Sequence, residues 1–109
     1  MPLKYTANNG NLQLALGGEL TIFQAAERKP ELLHMLSHVQ HTLSLDLSAV
    51  DEIDTAGVQL LLLLQREIRR SGRAIEVSAF SPAALAVFDL LQLHEMFGAD
   101  SAPQAEAAA

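Results

Sequence analysis

The chain has 109 residues, half of them hydrophobic, which is enough for one domain with a real core and too little for two. Its 13 acidic against 7 basic residues give a formal net charge of −6, which opposes binding to nucleic-acid phosphates or to an anionic membrane surface. With no cysteine there is no disulfide, no thiolate metal site and no cysteine nucleophile.

Met1-Pro2-Leu3-Lys4 lacks the charged and apolar run of a secretory signal. The leucine run Leu60 to Leu64 falls far short of the roughly 20 apolar residues of a membrane span. The expectation is a cytoplasmic protein without direct membrane insertion.

Tyr5-Thr6-Ala7, then Asn8-Asn9-Gly10, then Leu12, Leu14 and Leu16 alternating with Gln13 and Ala15 predict a hairpin on an Asn-Gly turn. Gly17-Gly18 reads as a bend leaving the second strand. After Glu19-Leu20-Thr21-Ile22, the spacing of Ala25, Ala26, Leu32, Leu33, Met35, Leu36 and Val39 turns helical. Pro30 removes a backbone donor and predicts a kink or restart in that helix. Leu43 to Leu47 alternates as a strand, and Ser48 to Asp54 reads as a polar connection containing Val50 and Ile53.

Ala56 to Arg70, with five consecutive leucines, no proline, and Arg69-Arg70-Ser71-Gly72 at its end, predicts the main helix. Ala74 to Phe80 predicts a strand, and Ser81-Pro82 predicts the capped start of a last helix through Leu85, Phe88 and Leu91. Residues 1–98 form the expected single domain. Beyond Gly98 the Ala, Pro, Gln, Glu and Asp composition predicts a disordered tail over 99–109. Strands alternating with helices imply an α/β fold with a mostly parallel sheet, the hairpin being the antiparallel exception.

Acidic and hydroxyl groups concentrate between Leu45-Asp46-Leu47-Ser48 and Asp54-Thr55-Ala56-Gly57, where a strand gives way to a helix. This segment resembles the STAS domain of anti-sigma factor antagonists, marked by a strand ending in Asp-Leu-Ser, an acidic loop, and Asp-Ser/Thr-Ser/Ala-Gly before a leucine-rich helix. Gly18-Glu19-Leu20-Thr21-Ile22, Leu91-Gln92-Leu93 and Met96-Phe97-Gly98 extend the resemblance over about residues 3 to 98.

The resemblance implies the small STAS (SpoIIAA-like) fold, with about four to five strands and about three to four helices. It implies a bacterial, non-enzymatic module of signal transduction and transcription regulation, a monomer or weak dimer, acting by docking on an anti-sigma factor or serine-threonine kinase. It makes Thr55 the phosphoacceptor, flanked by Asp54 and Gly57 and positioned near Asp46. Thr at the acceptor and Ala56 in place of a second Ser also make the chain similar to two other groups. These are the STAS subunits of bacterial phospholipid-transport ABC complexes, which dock on an ATPase, and the stand-alone STAS proteins of chemotaxis clusters.

Chemistry alone admits two roles at this position. A phosphate on Thr55 would bring about −1.5 to −2 charges to a helix amino end that can accept them, while the acidic neighbours would repel it. Alternatively, Asp54 or Thr55 is simply a helix cap. On a 100° wheel Leu60, Leu61, Leu64 and Ile68 share the arc that faces the sheet. Thr55, Val58, Leu62, Gln65, Arg66 and Arg69 fall opposite, and Thr55, Val58, Leu62, Arg66 and Arg69 form the expected partner-binding strip, unless Val58 and Leu62 pack inside.

Other constellations are weaker. Glu31, His34 and His38 share a helix side but lack the order and fourth ligand of a metal site, so no metal or cofactor is expected. His41 and His94 read as isolated surface or boundary residues. The carboxylates Asp46, Asp51 and Asp54 come with no phosphate loop and no implied cleft, so no enzyme activity is expected.

Overall fold

Asn9 and Gly10 both take positive φ, +55° and +85°, and close a two-residue turn between strands β1 (Leu3–Asn8) and β2 (Asn11–Leu20). That turn opens a computed structural model that describes residues 3–98. The expected tail over 99–109 lies outside the described residues. After β2 come helix α1 (Ile22–Met35) with a 3₁₀ turn at Leu36–His38, strand β3 (Thr42–Ile53) and helix α2 (Thr55–Arg70). Strand β4 (Ala74–Phe80), helix α3 (Pro82–Leu90) and a 3₁₀ turn at His94–Phe97 complete the described chain.

The four strands form one sheet in the order β1-β2-β3-β4, with β1 antiparallel to β2 and the other pairs parallel. This is the expected α/β class with its hairpin exception. Register aligns Leu12, Leu43 and Ile75 in one row and Leu14, Leu45 and Val77 in the next, all buried on one face. Gln13, Ser44 and Glu76 alternate onto the other face, which stays open. Each crossover steps to the neighbouring strand, so α1 and α2 lie side by side over the leucine face and pack on each other. Leu61, Leu64 and Ile68 are fully buried beneath α2, as the wheel predicts. Burying each such side chain contributes about 1.5–3 kcal/mol.

Both central strands run further than the periodicity predicts. Gly17 to Leu20 pair with Ala49 to Ile53, so Gly17-Gly18 lies within β2 and Ser48 to Ile53 is strand rather than connection. Two register shifts, each placing an extra residue on β3, break the alternation that would have revealed it. Helix α1 is likewise unbroken through Pro30, contrary to the expected restart. The carbonyl of Ala26, left without the Pro30 donor, is on an exposed residue where water can serve it.

At the carboxyl ends, Arg73 fastens α1 to α2. Its Nη1 donates to the carbonyls of Leu36 at 2.6 Å and Val39 at 2.8 Å. Ser81 caps α3, its Oγ accepting from Ala84 N at 3.0 Å, with Pro82 behind it as expected. His94 is not isolated: its Nε2 lies 2.7 Å from Asp89 Oδ1 and its ring packs edge-on to Phe80.

Asp46 sits at the first register shift of β3, where its Oδ1 accepts from Ser48 N at 2.9 Å. The Ser48 hydroxyl and then this backbone bond hold the Asp46 carboxyl below its ordinary value of 3.8, against partial desolvation. A depressed carboxyl adds stability in full above the ordinary value, and loses it as pH falls through the lowered folded one. Ser48→Ala is therefore expected to move the Asp46 carboxyl inflection, followed by NMR titration, back toward 3.8. An unmoved inflection would show that the hydroxyl does not hold it.

Candidate functional site

Parallel strands β2 and β3 deliver the amino ends of α1 and α2 to the same edge of the sheet, so unpaired N–H groups of two helices converge there. One side chain serves both. Asp54 caps α2 with Oδ1, accepting from Gly57 N at 3.1 Å, while its Oδ2 accepts from Ile22 N of α1 at 3.1 Å. Its own N–H donates to the Leu20 carbonyl at 3.4 Å. Thr21, the residue before α1, makes no backbone cap and donates its hydroxyl to Gln24 Oε1 instead. The Asp54 carboxylate thus stands in for the missing cap of α1 as well as forming that of α2.

Gly57 is required here for space rather than for backbone conformation. A Cβ on it would lie 2.0 Å from the Leu20 carbonyl oxygen and 3.0 Å from the Ile53 side chain. Absence of that carbon lets the first turn of α2 settle on the end of β2, which brings Asp54 within reach of Ile22.

Thr55 follows the shared cap and is exposed, as are Asp51, Glu52 and Asp54 around it. Beside it, at the start of α1, Ile22 is 59% and Phe23 is 80% exposed. These two apolar side chains are absent from the expected strip. The available signal was Phe23 standing out of phase with the stripe of Ala25, Leu32 and Met35.

The expected residues separate into three groups. Thr55, Asp54 and Gly57 come together at the amino end of α2. Asp46 does not join them: it lies on the open face among Gln13, Ser44 and Ser78, on the order of 20 Å away along a strand rising about 3.3 Å per residue. On the helix, Arg66 and Arg69 are exposed and Leu62 is half-buried against the core. Val58 is corrected to a core residue, only 7% exposed, because the buried arc of α2 is wider than four leucine and isoleucine positions and includes Gly57 and Val58.

Glu31 pairs with Arg28 at 3.4 Å and the His34 and His38 rings meet edge-on, 5.7 Å apart. The described residues hold no group of three or more His, Asp or Glu placed to bind a metal ion. None of the described helices is long and apolar enough to cross a membrane.

Gly57→Ala is expected to cost about 1–3 kcal/mol in urea unfolding, since backbone rather than a flexible side chain must yield. Unchanged stability would mean that α2 and Leu20 do not make the close approach described.

The family model described as "Mlab, STAS domain" matches residues 3–98, the whole described chain. No curated protein matches. Among solved structures, an anti-sigma factor antagonist from Mycobacterium paratuberculosis is similar at 20% identity and a TM-score of 0.77, covering 89% of this chain and 82% of that one. The Bacillus cell fate determinant SpoIIAA in its phosphorylated form is 20% identical with a TM-score of 0.66, covering 87% of each chain. A sulfate transporter family protein from Wolinella succinogenes is 19% identical with a TM-score of 0.72, covering 88% of this chain and 78% of that one. These likenesses place the fold among SpoIIAA-like structures, and the match of the family model over the described chain shows that the protein belongs to the STAS domain family.

Proposed function

We propose that the chain is a regulatory docking module of the anti-sigma factor antagonist type. Its unmodified form binds a partner protein, an anti-sigma factor or analogous serine-threonine kinase, with the end of α2 that carries Thr55. Phosphorylation of Thr55 breaks that complex. The supporting observation is the exposure of Thr55 beside Ile22 and Phe23, because apolar groups rimmed by polar ones are the usual composition of a docking surface. Aromatic side chains in such a position anchor interfaces.

Electrostatics supports the direction of the switch. Of the N–H groups at the two helix starts, those of Gly57 and Ile22 are already served by the Asp54 carboxylate. A phosphoryl group of about −1.5 to −2 charges there adds to the negative charge of Asp54 and of Asp51 and Glu52 at the end of the preceding strand, and it changes the surface more than the fold. The fold class itself hosts many uses.

A second reading is an accessory STAS subunit of a phospholipid-transport ABC complex, docking on its ATPase with Thr55 inside the contact. It is favoured by the family description and by the structural neighbour from a sulfate transporter family.

Intact mass after incubation with lysate of its own cell and ATP separates the two. A gain of one phosphoryl group, lost in Thr55→Ala, together with a kinase recovered on a tagged copy, is expected for the first reading. No mass gain together with recovery of an ABC ATPase would overturn it in favour of the second.

A further inference from the structure

The chain is acidic, yet all of its Lys and Arg residues except Lys4 fall between Arg28 and Arg73, on α1, α2 and the turn after α2. The acidic groups Asp51, Glu52 and Asp54 stand at the amino end of the same helix layer. Between the helices runs a groove. Its first part, about 340 Å³, lies among Ile22, Ala26, Lys29, Gln59, Leu63 and Arg66. Lys29 and Leu63 also line a second hollow of about 580 Å³ that continues toward Arg73.

The charges along this groove divide sharply. Glu67 is paired with Arg70 at 3.1 Å, and Arg73 is committed to the backbone carbonyls of Leu36 and Val39. Lys29 and Arg66 are exposed and make no ion pair among the described residues. No carboxylate lines the first part of the groove. An apolar floor with two unneutralised cations on its rim, in a protein of net charge −6, favours an anionic occupant here.

From this juxtaposition we infer that the groove between α1 and α2 receives an amphipathic helix of the partner protein, with acidic residues flanking its apolar stripe to meet Lys29 and Arg66. The shape argues for a helix. Two helices lying side by side leave a trough into which the ridge of a third fits, and alanines in its floor permit close approach. The 14 residues of α1 set its length, about 21 Å at about 1.5 Å per residue, which a partner helix of roughly four turns fills. Ile22 and Phe23 at the open end of the groove receive the apolar residues that leave it. The inference rests on the docking reading above and names the chemistry of its partner, but it does not depend on Thr55 being phosphorylated.

Two synthetic peptides of about 15 residues with the same leucine and alanine stripe, one flanked by glutamates and one by lysines, test it against the full chain. The measurement is an NMR titration of backbone amides. The glutamate peptide is expected to shift Lys29, Gln59, Leu63 and Arg66, and to lose about tenfold or more in affinity against Lys29→Glu/Arg66→Glu. The lysine peptide is expected to bind the reversed variant better than the original. Both residues are exposed, so the variant keeps its fold, which its amide spectrum checks directly.

Equal binding of both peptides, shifts confined to the open sheet face, or no shift with the glutamate peptide would overturn the inference. So would sedimentation showing that a second copy of the chain covers these residues. Each result stands whether or not Thr55→Ala alters phosphorylation, so failure here leaves the docking reading itself intact.

Discussion

A single carboxylate shared by two helices holds this structure in its working shape. Parallel β2 and β3 necessarily bring two helix amino ends together, and those ends carry unpaired N–H groups and partial positive charge. Asp54 answers both at once, with one oxygen on Gly57 N and the other on Ile22 N, 32 residues away in sequence. Because Thr21 leaves α1 uncapped, the position of Ile22 and Phe23 is fixed from the neighbouring helix rather than from within their own. Thr55 is attached directly to this joint, so any group added there acts where the two helices are tied.

The rest of the helix layer follows from that joint and from its counterpart at the opposite end. Arg73 reaches the last carbonyls of the α1 region, so the pair is fastened at its amino ends by an anion and at its carboxyl ends by a cation. Each sign suits the helix dipole it meets. The sheet supplies a flat row of leucines beneath, and Gly57 removes the one carbon that would hold α2 off β2. Two helices held at both ends and not filled between leave a groove whose polarity the remaining cations decide.

Local pattern made much of this legible in the sequence, and long-range pairing hid the rest. Asn9-Gly10 can take positive φ, the alternation of Leu12 to Leu16 has period 2, and Ala74 to Phe80 is bounded by a glycine turn and a capping Ser-Pro, so the hairpin and β4 were readable. The leucines of α2 gave its buried side. The second half of β3 was not readable, because two bulges break its alternation and its partners, Gly17 to Leu20, lie a whole helix and more away in sequence. Asp46 looked like part of the acidic site because of its closeness in sequence, yet a continuous strand carries it to the open face. Val58 was misplaced by a few tens of degrees on the wheel, a difference that only the width of the buried arc decides. The double use of Asp54 had no signature at all, since the residue it serves in α1 lies before the whole of β3.

The shared carboxylate is therefore the feature to test directly, by comparing amide NMR spectra and hydrogen exchange of the parent chain and Asp54→Ala. Both Ile22 and Gly57 amides are expected to shift and to exchange about tenfold faster, since each loses its acceptor at once. A change at Gly57 with Ile22 unmoved would contradict the bridge, and would leave α1 and its exposed phenylalanine independent of the helix that carries Thr55.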